Sequence, residues 1–193
     1  PAHGAGDVII EVSHDGTHFV TVSQPFTYAA VPSISGLRPS VGSLAGGTAV
    51  TVTGTGFVPE GMKCEFGDHA SDFTFVSSTE LVCLSPTQRS PAAVTVRVST
   101  NARDYGISPL QYQYIYKPHM VAVIPKFGPE SGGTWLTIYG VHFIDSGNLT
   151  CRFGQQSVSR ATWISSDTMH CATPASIPGR LPVAISFNGQ DHY

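Results

Sequence analysis

The chain repeats itself, and the period of the repeat sets the size of the unit that must fold. The stretch Gly46-Gly47-Thr48-Ala49-Val50-Thr51-Val52-Thr53-Gly54 returns as Gly132-Gly133-Thr134-Trp135-Leu136-Thr137-Ile138-Tyr139-Gly140. Cys64-Glu65-Phe66-Gly67 returns as Cys151-Arg152-Phe153-Gly154, and the run from Ser77 to Cys83 returns from Ser165 to Cys171. Val96-Arg97-Val98-Ser99 matches Val183-Ala184-Ile185-Ser186, and the offsets of 86 to 88 residues confine insertions to loops. A partial copy opens the chain. Ile10 to Gly16 aligns with Val183 to Gly189, and Phe26-Thr27-Tyr28 aligns with Tyr112-Gln113-Tyr114. The units are therefore residues 1–29, the closing strands of a preceding repeat; 30–115, a complete repeat; and 116–193, a repeat lacking its last strand.

Each unit reads as strands. Ala49 to Thr53 alternates outward Thr with inward Val, the period of two of a half-buried strand. Val94 to Val98 and Leu136-Thr137-Ile138 do the same. Turn residues punctuate these runs every 8 to 12 residues or so, the spacing of a β-sandwich. The 20 Gly and 14 Pro suit turns and disfavour helices. Two small sandwiches in tandem are expected. Val8 to Ser13 duplicates a strand that the third unit already owns, Leu181 to Phe187. Strand exchange between copies is thus disfavoured, and a chain cut inside a repeat at both ends is expected.

The order of motifs carries a resemblance. Pro32-x-Ile34 leads to Pro39, then to Gly46-Gly47-Thr48-x-Val50-Thr51-Val52-x-Gly54-x-Gly56-Phe57. Cys64-x-Phe66-Gly67, Cys83-x-x-Pro86, Val94 to Ser99 and Tyr112-x-Tyr114 follow in order, and a second copy runs from Val123 to Gly189. This pattern resembles the IPT/TIG domain over nearly the whole chain. The resemblance implies an all-β protein of tandem immunoglobulin-like (early-set) β-sandwiches. Members of that family occur in plexin-like and Met-like receptor ectodomains, fibrocystin-like surface proteins, intracellular transcription factors and accessory modules of starch-processing enzymes. His142 stands where the first complete repeat has Gly56, so a different turn is expected there.

The four cysteines fall two to a repeat at matching positions. Pairing Cys64 with Cys83 and Cys151 with Cys171 closes loops worth roughly 3 kcal/mol each in the chain-entropy view. Even counts at repeated positions fit an oxidising compartment; four buried thiols are the alternative. Asn148-Leu149-Thr150 is an N-glycosylation sequon in an expected loop, and beside the paired cysteines it favours an extracellular location.

Catalytic and cofactor signatures are missing. The eight histidines are dispersed, and His14 and His18 flank a turn, so no metal site is expected. Asp68, Asp72, Glu80, Asp145 and Asp167 form no acid–base pair. No Gly-x-Ser-x-Gly elbow occurs, and Gly46-Gly47 precedes a strand rather than the helix of a phosphate loop. Tyr112, Tyr114 and Tyr116 alternate as a sugar-stacking platform would, but the first two are assigned to the core and Tyr116 to the linker. Trp135 and Trp163 are likewise assigned to the core.

Charged residues are only 12% of the chain and the net charge is −3, with no run of either sign. Nothing here forms a footprint for nucleic acid or anionic lipid. No apolar run is long enough to insert in a membrane. The expected function is a non-catalytic segment of an extracellular or cell-surface protein, a spacer and adhesion module in a receptor stalk, adhesin or filament. Its expected partners are other proteins, further repeats of its own chain or copies of itself. A carbohydrate-binding accessory module is the alternative; a transcription-factor dimerisation module is a weaker one.

Overall fold

The structure, a computed structural model, describes residues 4–106, 108–155 and 157–193. All the regular elements among the described residues are strands, as the alternating pattern of each repeat predicts. The N-terminal stretch is an interrupted hairpin. β1 (Gly6–Val8) pairs with β4 (Phe26–Tyr28), and β2 (Glu11–Ser13) pairs with β3 (Phe19–Thr21).

The middle repeat is a two-sheet sandwich. One sheet orders β10 (Phe73–Ser77), β11 (Glu80–Leu84), β7 (Ala49–Thr55) and β5 (Ser33–Arg38). The other orders β6 (Val41–Ser43), β13 (Gln111–Ile115), β12 (Ala92–Ser99), β8 (Lys63–Phe66) and β9 (His69–Ser71). Val50, Val52, Leu81, Phe66, Val96 and Val98 alternate into the space between them and are buried. Each such side chain contributes about 1.5–3 kcal/mol by leaving water. Tyr112 and Tyr114 of β13 complete this core, the Tyr112 ring edge-on to both Phe66 and Tyr114. Their burial pushes both phenols above the usual range.

The third repeat has counterparts of β5, β7, β8, β9 with β10, β11 and β12, and among the described residues none of β6 or β13: β14 (His119–Ile124), β15 (Trp135–Val141), β16 (Thr150–Phe153), β17 (Ser157–Ser165), β18 (Thr168–Ala172) and β19 (Val183–Ser186). Its hydrogen bonding runs through all six in the order β14-β15-β18-β17-β16-β19. The cause is β17. Its first half pairs with β16 and its second half with β18, whereas the middle repeat splits this strand at Asp72 into β9 and β10.

Gly46 and Gly132 open β7 and β15 from left-handed backbone, φ +71° and +76°. A Cβ on either would lie 2.6 Å from backbone of the facing loop, so only glycine closes this corner. His142 adopts φ +63°, close to the +77° of Gly56. The turn is therefore kept despite the substitution, because histidine tolerates this region better than most side chains.

Cys64 is bonded to Cys83 and Cys151 to Cys171, with Cα atoms 6.4 Å apart in each pair. Cys64–Cys83 joins the two sheets of the middle repeat, Cys151–Cys171 joins β16 to β18, and all four cysteines are fully buried.

Candidate functional site

On the sheet of β14, β15, β18 and β17, period-two alternation sends Leu136, Ile138, Met169 and Cys171 inward. The other set must therefore face out. Along β15 that set is Trp135, Thr137, Tyr139 and Val141, with Trp135 66% and Tyr139 42% exposed. Register then fixes their neighbours. Ile124 and His170 flank Thr137, Ala122 and Thr168 flank Tyr139, Ala172 lies beside Trp135 and His119 beside Val141. Thr162 of β17 extends the Thr137–His170 row. None of these outward residues is Asp, Glu, Lys or Arg.

The sister sheet supplies the control. In the same places the middle repeat carries Arg38 beside Thr51, Glu80 beside Thr53, and Ala49 and Thr55 at the strand ends. From one repeat to the next, Arg38 has become Ile124, Glu80 has become Thr168, Ala49 has become Trp135 and Thr53 has become Tyr139. Backbone requirements are the same in both sheets, so folding does not explain the exchange. An exposed aromatic and aliphatic stripe along β14, β15 and β18, with Arg160 of β17 exposed at its border, is what a docking surface with an apolar centre and a polar rim presents.

This corrects the assignment of Trp135 to the core. Trp163 does lean inward, with its Nε1 donating to the carbonyl of Phe143 at 3.3 Å, yet it stays 37% exposed. Tyr116 is half exposed, and its ring lies 4.9 Å from that of His142. With Tyr112 and Tyr114 buried, those three tyrosines form no platform.

Two concavities accompany the face. In the third repeat a largely apolar groove of about 700 Å³ is walled by Leu136, Phe153, Leu181 and Val183. A second, polar cleft of about 520 Å³ lies between the middle and third repeats, and Asn148 borders it. Among the described residues no three His, Cys, Asp or Glu side chains converge as a metal site would require.

The sequence model of the family described as IPT/TIG domain matches residues 32–116 and 118–193. Mouse fibrocystin-L is 30% identical over 156 residues, 80% of this chain and 4% of that protein. Mouse plexin-A2 is 31% identical over 180 residues, 89% of this chain and 9% of that protein. The chain thus spans a small fraction of either relative. Among solved structures, the full extracellular region of plexin A4 superposes with a TM-score of 0.59 at 23% identity, over 98% of this chain and 17% of that one. That likeness shows the fold.

Proposed function

The chain belongs to the IPT/TIG domain family, and on that premise we propose that it is a non-catalytic segment of an extracellular or cell-surface protein whose joined repeats hold out one protein-binding sheet face. The observation that carries this reading is the exchange of charge for aromatic and aliphatic groups on the β14-β15-β18 face. Trp and Tyr are the side chains that most often dominate binding energy at interfaces, and charged groups are depleted at interface centres. The partner that fits is a protein surface poor in charge, either a further repeat of the same kind or a second copy. The Cys64–Cys83 and Cys151–Cys171 bonds support an oxidising compartment, and the plexin A4 likeness is to an extracellular region.

The test is a photo-crosslinking amino acid placed at Thr137 of the full-length protein on cells. A discrete protein adduct is expected, and Trp135→Ala with Tyr139→Thr should reduce its yield at least about tenfold, the loss of one or two hot-spot side chains. The matching pair Ala49→Ser with Thr53→Ser in the middle repeat should leave it unchanged. Failure to capture any protein, or an adduct indifferent to the third-repeat substitutions, overturns the reading.

One observation favours carbohydrate as a second reading. Trp135, Thr137 and Tyr139 place an aromatic ring, a hydroxyl and an aromatic ring along one strand, the rings about 13 Å apart at ordinary strand rise. A neutral oligosaccharide laid along β15 would meet stacking surfaces at both ends and hydroxyl or imidazole partners between them. Glycan-array binding lost on Trp135→Ala would favour this reading over the first.

A further inference from the structure

Asn148 lies in the loop between β15 and β16, at the end of the third repeat that abuts the middle one. Leu149 is buried and Thr150 starts β16, so the sequon is anchored on its C-terminal side and Asn148 is left exposed at the mouth of the polar cleft. The opposite wall belongs to the middle repeat and includes Arg38, Ser40 and Thr51. Arg38 is exposed there, and its guanidinium has no hydrogen-bond partner among the described residues. Beside the cleft the two repeats are already tied. Asn188 Nδ2 donates to the Val41 carbonyl at 3.0 Å, and Thr48 Oγ1 donates to Asp191 Oδ2 at 2.8 Å.

We infer that the inter-repeat cleft is a glycan seat: the first sugars of an N-linked glycan on Asn148 lie in it, bridge to Arg38, and hold the joint at one angle. This rests on the extracellular reading above, since the modification belongs to the secretory pathway. In forming it, Asn148 Nδ2 displaces the diphosphate from C1 of a lipid-diphosphate-linked oligosaccharide. A C–N bond replaces a C–O bond, and the amide gives up one proton. The remaining N–H still serves the bond that Nδ2 makes to the Asn188 carbonyl, 3.5 Å away. The sugars then meet a cleft of polar lining, about 520 Å³, large enough to take them without displacing core. Their acetamido and hydroxyl oxygens are acceptors for the unpaired Arg38 guanidinium. Filling a cleft between two bodies removes the space into which they bend, so the sugars act by cutting the freedom of the joint.

The experiment uses the chain secreted from eukaryotic cells, with spin-labelled non-canonical amino acids at Val76 and Val158, one in each repeat. Intact mass reports whether sugar is present; pulsed dipolar spectroscopy reports the spread of the inter-label distance. Removing the glycan from folded protein with peptide N-glycosidase should widen that spread by about twofold, the size of a released hinge. Asn148→Gln should match it. Arg38→Ala should widen the spread in glycosylated protein and change nothing once the sugar is gone. Because the enzyme acts on protein already folded, the result does not depend on how Asn148→Gln folds. Glycosylated protein with the same spread before and after removal overturns the seat. A mass without sugar overturns the extracellular modification on which it rests, and the two failures are read separately.

Discussion

The turns at Ser13-His14-Asp15, Ser99-Thr100-Asn101 and Ser186-Phe187-Asn188 share one construction, a serine followed two positions on by Asp or Asn. In each, the Ser Oγ accepts from a backbone N–H two or three residues ahead. The Asp or Asn oxygen accepts from the two N–H groups that follow its own turn. A carboxylate serves this task well. The His18 backbone N–H, followed by its side chain, holds the Asp15 carboxyl below the usual range. At Asn188 the amide does a second job that a carboxylate cannot: its Nδ2 donates to the Val41 carbonyl and to Asp191 Oδ2. Asn188→Asp should therefore keep the turn yet lose the donor and set two carboxylates together. Leaving a buried carbonyl unpaired and a charge unmatched should cost about 2–3 kcal/mol in urea unfolding at neutral pH. A loss under about 0.5 kcal/mol, the range of an ordinary surface change, would show that the amide carries none of the joint.

At the scale of elements, the corner before β7 and β15 separates two adjacent glycines by what surrounds them. Gly46 and Gly132 combine positive φ with backbone 2.6 Å from a built Cβ, while Gly47 and Gly133 share the positive φ but have open space. Alanine at Gly47 or Gly133 should cost about 1 kcal/mol, the left-handed penalty alone. Alanine at Gly46 or Gly132 adds a clash that no side-chain rotation relieves and should cost about 2–4 kcal/mol. Equal costs in chemical denaturation would refute the distinction. Much of this element plan was legible in the sequence. The repeat located the strands, and alternation in Ala49 to Thr53 told which residues of β7 face in. The exposure of Trp135 was missed because a tryptophan in a strand suggests core when read alone. The signal was present in the alignment, since Trp135 takes the place of Ala49, one residue before the inward Val50. Size misled where register would have decided. The joining of six strands by β17 had no comparable signal, because the split at Asp72 depends on the main-chain bond from Leu84 N–H to the Asp72 carbonyl.

Across the whole molecule, the middle and third repeats share more than a linker. β13 ends at Ile115 and β14 begins at His119, so the connection is too short to tumble freely. Val41 and Ile115 belong by sequence to the middle repeat, yet both pack in the hydrophobic core of the third with Ile138, Phe143 and Phe187. Gln190 adds a reciprocal pair of bonds with the backbone of Ala49, 2.9 and 3.2 Å. A third-repeat core that takes Val41 and Ile115 from β6 and β13 cannot stay intact once the middle repeat unfolds. Calorimetry of the chain should then show these two repeats unfolding in a single transition. Val41→Ala removes two methyl groups from the shared core and should lower stability by about 1–3 kcal/mol. Its distinctive effect lies outside its own repeat: amide exchange at Ile185 and Phe187 of the third repeat should quicken along with that of the middle repeat. Independent modules predict the reverse, with two separate transitions and Val41→Ala moving only the one that belongs to residues 30–115. That outcome would reduce the joint to a tether.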